Sequence, residues 1–142
     1  MENRESYALL RSQAGVDATV DALARALADA GNKIFARIDQ AAEAVAVGLK
    51  LRPTVLLVFG NPRVGTNLMD AVPALALDLP MKIVVWQDRS ETFVGFNLLR
   101  TLAARFGTNA VDESLAAIDR TVRGLIEKAL AGLAPAAALS DS

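Results

Sequence analysis

The sequence predicts an α+β fold: a mainly antiparallel sheet with helices packed on it, in β-α-β(4)-α order, with short helices inserted in the connections. Three observations carry this reading. Residues 16–30 show a helical apolar period between strand-like segments at 7–11 and 33–38. Residues 81–87 and 92–96 are strand-like and joined only by the polar Asp88-Arg89-Ser90-Glu91, too short for anything but a hairpin. A long amphipathic helical pattern then closes the chain. The regular strand-helix alternation of a doubly wound sheet is missing, and no repeat is visible.

The elements follow in order. After a first strand at 7–11, Val16, Val20, Leu23, Leu27 and Ala30 step by four, three, four and three, which puts them on one helical face. Asp17 and Asp21 suit the positive N-terminal end of that helix, and Gly31-Asn32 supplies its stop. Residues 33–38 alternate, with Ile34, Ala36 and Ile38 on one face and Phe35 on the other. Asp39 is placed to cap a short alanine-rich helix that Gly48 closes. Residues 54–59 are apolar on both faces, so they read as a central strand covered on both sides, by helices or by a second copy of the protein. Across the hairpin from Lys82, Val84 and Trp86, the expected neighbours are Val94 and Phe96. Asn97 is expected to cap a short helix through Arg105 that Gly107 closes, and Asp112 or Ser114 to start the last helix. Leu115, Ile118, Val122, Leu125, Ile126, Ala129 and Leu133 form the inner face of that helix. Residues 1–134 read as one domain and 135–142 as a flexible tail.

Composition narrows the chemistry. A 142-residue chain that is 53% hydrophobic and 22% charged has the balance of one globular domain. A net charge of -1 provides no basic footprint for nucleic acid. With neither cysteine nor histidine, the chain cannot form a disulfide, a thiolate nucleophile, a Ser-His relay or a Cys/His zinc site. Any metal would have to be a hard one held by oxygen ligands, but no loop of regularly spaced carboxylates is present, so no metal site is assigned, and the sequence leaves the cofactor unknown. The acidic and polar start MENRES is unlike a secretory leader, and apolar runs fall short of the roughly 20 residues that span a bilayer. The expectation is a cytoplasmic protein without membrane or nucleic-acid partners.

The phrases IDQAAEAVAVGLKLRPTVLLVFGNPRVGTNLM, ALALDLPMKIVVWQD and VGFN followed by LAARFG resemble the bacterial domain-of-unknown-function family 302 (DUF302) over residues 16–107. The most specific stretches are FGNP-x-x-GT-x-LM at 59–69 and ALDLPMKI at 76–83. The resemblance implies a small bacterial domain similar in topology to the TATA-binding-protein-like (TBP-like) arrangement, often a homodimer, with no known activity. Two positions depart from the family pattern: where relatives often carry histidine, this chain has Gln40 and Phe106, so neither can titrate.

Three clusters are candidate sites. Gly60, Asn61, Pro62, Arg63, Gly65 and Thr66 follow a strand and open a helix, so their backbone N–H groups and Arg63 are placed to hold an anion, or else the glycines and proline simply shape the turn. This is neither a Walker loop nor a dinucleotide glycine pattern. Asp39 and Asp78 are carboxylates that could serve as a base, or as a cap and a solvated group. Lys82 and Trp86 share a strand face that could hold a small anionic or planar ligand, or pack against a partner. No residue is assigned a catalytic role. Arg100, Arg105, Arg120 and Arg123, the latter two interleaved with Asp112, Glu113, Asp119 and Glu127, read as a solvated face. The function these features favour is a non-catalytic homodimeric module that binds a small anionic molecule. The alternatives are a protein-interaction domain without a small ligand, and an enzyme acting on a phosphorylated or carboxylated metabolite.

Overall fold

A computed structural model describes residues 2–3, 6–106 and 111–136. Its strands are β1 (Glu2–Asn3), β2 (Tyr7–Ser12), β3 (Lys33–Asp39), β4 (Thr54–Gly60), β5 (Met81–Asp88) and β6 (Glu91–Asn97). Its helices are α1 (Val16–Asp29), α2 (Gln40–Ala46), α3 (Pro62–Ala71), α4 (Leu102–Arg105) and α5 (Asp112–Ala131), with 3-10 turns at Pro73–Leu77 and Leu99–Thr101. The strands form one sheet in the order β1-β2-β6-β5-β4-β3, every neighbouring pair antiparallel, so the α+β expectation holds. Five strands are long, and β1 is a two-residue edge.

The connection from β2 to β3 must cross β6, β5 and β4, a span of about 19 Å at ordinary strand spacing. Helix α1, with 14 residues, lies within this connection and packs on β3, β4 and β5. Its buried stripe of Val16, Val20, Leu23 and Leu27 therefore lies over the sheet, where each fully buried side chain is worth about 1.5–3 kcal/mol. Helix α5 packs beside it on the same face. Ala8 and Leu10, Val94 and Phe96, Ile83 and Val85, and Val55, Leu57 and Phe59 point into this core.

Several expectations change at the strands. β4 lies between β5 and β3, one place in from the edge, and only its core face is fully covered; Leu56 and Val58 stay half-buried. The hairpin turn is two residues, with Asp88 paired to Glu91, so Trp86 faces Phe93 and Val84 faces Gly95. Val94 and Phe96 instead sit opposite Val85 and Ile83 on the core face, because a one-residue change of register flips every side chain. In β3 a register break between Ile34 and Ala36 sends Ile34 to the core side, with Phe59, while Ala36 and Ile38 pair with the outer-facing Val58 and Leu56. The outer sheet face thus carries Leu9, Ile38, Leu56, Val58, Val84, Trp86 and Phe93.

At the helix ends, Asp39 caps α2 by accepting the Ala42 N–H, as expected. Gly31 ends α1 at φ +94°, and both the backbone N–H and the side-chain Nδ2 of Asn32 donate to the Leu27 carbonyl. Asn97 does not cap a helix; it ends β6, and the Leu99–Thr101 turn that follows starts at Leu98 with no local side-chain cap. The cap comes from α5 instead. Asp119 is 3% exposed and accepts the Leu99 N–H at 2.7 Å and the Arg100 N–H at 2.9 Å. It therefore lies in the core stripe of α5 with Leu115, Val122, Ile126 and Leu130 rather than on a solvated face. Asp112 is the first residue of α5, after an uncapped Val111, and Gly107 lies outside the described residues. Most of the expected tail also lies outside them, but Ala136 is held: its N–H donates to the Gln13 carbonyl while Gln13 Nε2 donates to the Leu133 carbonyl.

Candidate functional site

The most distinctive sequence segment builds one wall of a cavity. β4, buried on its core face alone, ends at Gly60, where Asn61 turns the chain: its Oδ1 accepts the Arg63 N–H at 3.0 Å and Pro62 takes the first helical position. This turn leaves no cradle for an anion. Pro62 has no N–H, the Arg63 N–H is taken by the Asn61 side chain, and those of Val64 and Gly65 donate to the Asn61 carbonyl.

The cavity is a half-open cleft of about 430 Å³, within the range of small-molecule sites, and Pro62, Val64, Thr66 and Thr121 on its walls are exposed. Pro62, Val64, Gly65, Thr66, Leu68 and Met69 of α3 face Ala117, Ile118, Thr121, Val122 and Leu125 of α5 across it. Ala30 and Asn32 close it at the end of α1; Phe35, Gly60 and Asn61, Leu79 to Met81, and Leu99 complete the wall. Phe35 reaches the cavity from the β3 register break, with Lys33 Nζ 5.2 Å from its ring centre. A bulge re-aims a side chain in this way.

No Asp, Glu, Lys, Arg or Tyr lines the cavity, so its walls offer hydrogen bonds and apolar contact but no titratable side chain. The polar side chains are Asn32, Asn61, Thr66 and Thr121, and the Thr121 hydroxyl already donates to the Ala117 carbonyl. The nearest buried charge is behind the wall, at Asp119, which fixes Leu99 through its N–H. Burial pushes the Asp119 carboxyl above its ordinary pKa, opposed by the Leu99 and Arg100 N–H bonds and the positive charges of Arg100 and Arg123.

Five of the ten candidate residues meet here: Gly60, Asn61, Pro62, Gly65 and Thr66. Arg63 is exposed and does not line the cavity. Asp39 is a helix cap. Asp78 is bound by Arg105 at 2.7 Å, tying the Pro73–Leu77 turn to α4. Lys82 and Trp86 lie on the outer sheet face, with Lys82 Nζ 3.5 Å from the Pro80 carbonyl and Trp86 stacked on Phe93 at 5.4 Å between centroids. The carboxylates and Arg63 are thus not brought together. Among the described residues no group of three or more Asp, Glu, His or Cys could hold a metal.

The sequence reading missed Asn32, Phe35, Leu99 and the α5 wall. Ile118, Val122 and Leu125 were legible as an inner helical face, but which element they oppose is a tertiary fact. Asp119 did leave a signal, because it sits on the apolar stripe four residues after Leu115 and three before Val122.

The fold and cavity define a small α+β domain with an uncharged, largely apolar chamber between α3 and α5. The chain belongs to the DUF302 family, "Domain of unknown function DUF302", whose model matches residues 9–130. A crystal structure of an uncharacterized conserved DUF302 protein from Bacillus stearothermophilus superposes with a TM-score of 0.83 at 20% identity, covering 89% of this chain and 99% of that one. At that identity the likeness shows the shared fold. The chain is also 38% identical over 81 residues to fluoride-specific ion channel FluC 1 of Brucella suis, covering 57% of this chain and 32% of that protein. The same identity and length relate it to fluoride-specific ion channel FluC 2 of Brucella melitensis, of which 30% is covered. The aligned region is therefore about a third of these relatives' length. No helix among the described residues is long and apolar enough to cross a membrane.

Proposed function

We propose that this domain is a non-catalytic binding module for a small, predominantly apolar molecule held between α3 and α5. The observation that carries the reading is the 430 Å³ cavity whose walls include the Gly60-to-Thr66 segment and no titratable side chain. A cavity without such a group has no general acid or base of its own. Engagement of the α3 N–H groups by Asn61 moves the ligand class away from the anion that the loop suggested.

The test is amide chemical-shift mapping with isobutylbenzene. Shifts clustered at Gly65, Thr66 and Thr121 are expected, and a probe at a hundredfold excess over its Kd stabilises the fold by about 2.7 kcal/mol. Gly65→Leu should fill the chamber and abolish the shifts while the fold persists, since a Cβ at Gly65 meets only Met69 Cε at 3.8 Å. Shifts confined to the outer sheet face would refute the reading.

The module is proposed to act as a homodimer, with a second copy covering the outer sheet face. Its apolar centre around Val84, Trp86 and Leu56 is half-buried, while the rim charges are already matched within one chain as Arg11–Glu91 and Arg52–Asp88. A net charge of -1 opposes self-association only weakly.

The 38% identity to fluoride-specific channels favours a second reading, that the domain serves a fluoride-handling membrane protein. A fluoride-dependent, chloride-independent shift in melting temperature would support it; identical melting in both salts would count against direct fluoride binding.

A further inference from the structure

Two asparagines line the same end of the cavity, and each has committed one half of its amide to a helix end. Asn32 Nδ2 donates to the Leu27 carbonyl at 3.0 Å, and Asn61 Oδ1 accepts the Arg63 N–H. The partners dictate these orientations, because a carbonyl only accepts and an N–H only donates. The atoms left wholly unused are complementary: Asn32 Oδ1 is an acceptor and Asn61 Nδ2 a donor, with no protein partner among the described residues, while Asn32 Nδ2 keeps one further N–H and Asn61 Oδ1 one further lone pair. The two caps are neighbours, since Asn61 Nδ2 lies 3.9 Å from where a Cβ on Gly31 would sit. Gly31 itself is required there by its φ of +94°, not by crowding, since a Cβ would meet Asn61 at ordinary contact distance.

We propose that this pair is the specificity element of the cavity and selects an uncharged carboxamide or lactam head group on an apolar body. The inference rests on the cavity being a small-molecule site. Asn61 Nδ2 donates to the ligand carbonyl, and the ligand N–H donates to Asn32 Oδ1. A carboxylate fits less well, because one of its oxygens would face the Asn32 acceptor and no cationic side chain lines the wall to offset it, Lys33 Nζ lying over the ring of Phe35 instead. A hydrocarbon fits the walls but leaves both asparagine atoms without a partner.

The test compares phenylacetamide, phenylacetate and isobutylbenzene, which share one shape, on the wild-type protein and on Asn61→Asp. Aspartate keeps the oxygen that caps Arg63 and replaces the donor with an anionic acceptor; because Asp serves as an N-cap about as well as Asn, folding is preserved. The variant should bind phenylacetamide about tenfold more weakly, from the loss of one hydrogen bond and repulsion of the ligand carbonyl, and isobutylbenzene within about twofold of wild type. Phenylacetate should bind the wild type more weakly than phenylacetamide, and N,N-dimethylphenylacetamide, which has no N–H to give Asn32, should lose about fivefold without any mutation. Unchanged phenylacetamide affinity in Asn61→Asp, with isobutylbenzene still bound, overturns the head-group inference and leaves the cavity reading standing. Binding of none of the probes overturns both.

Discussion

Asp119→Ala is the most informative perturbation of the fold, because that carboxylate replaces a local helix cap. It is 3% exposed and holds two N–H groups from a different element, Leu99 at 2.7 Å and Arg100 at 2.9 Å. Truncation leaves two donors without partners, each costing about 1–3 kcal/mol, partly offset by no longer burying the carboxylate, for a net loss of about 3 kcal/mol. For a chain of this size that is a fall in Tm of about 10 °C. Urea unfolding of Asp119→Ala beside Glu113→Ala, an exposed carboxylate on the same helix, provides the assay; the control should change by less than about 0.5 kcal/mol. Equal stability of the two variants would refute the capping argument. The pH dependence is a second check. Burial raises the native pKa of Asp119 above its unfolded value, so between the two values the folded state binds more protons and stability falls as pH rises. The contribution is complete below the ordinary Asp pKa and lost above the raised one. Asp119→Asn should lack that slope, and a wild-type-like slope in the variant would contradict the assignment.

Other outcomes follow from single sites. Thr92 is fully buried and its Oγ1 has no hydrogen-bond partner among the described residues, so Thr92→Val should stabilise by about 1 kcal/mol in chemical denaturation; a loss would reveal a bound water or another unseen partner. Gly124 is exposed in the middle of α5 with open space where a Cβ would go, so Gly124→Ala should add up to about 1 kcal/mol, read as a rise in Tm. Gly31→Ala should cost about 1–2 kcal/mol at φ +94°, and a neutral result would show that the α1 exit relaxes. Trp86→Glu should leave the fold intact and convert the proposed dimer to monomer in sedimentation, since the ring is stacked on Phe93 on the outer sheet face; an unchanged sedimentation coefficient would place the interface elsewhere.

Local chemistry accounts for what the sequence made legible. The steps of three and four in α1, the apolar run of β4, the Asp39 cap and the Gly-Asn-Pro turn each depend on residues close in the chain, and each lies where the pattern placed it. Such signals report period and conformation, which are properties of a few consecutive residues. Tertiary structure decided the remainder because those properties do not identify neighbours. A two-residue turn rather than a four-residue connection moved Val94 and Phe96 to the core, and a register break divided Ile34 from Ala36 and Ile38. Asp119 became a cap for Leu99 only because α5 packs against the turn that follows β6. The site changed most. The Gly-Asn-Pro segment looked like an anion loop while its N–H groups were uncounted, and became the wall of an apolar chamber once Asn61 was seen to occupy them and α5 to face them. A cavity is the space left between elements distant in sequence, and no local period encodes its shape or which polar atoms are left unpaired in it.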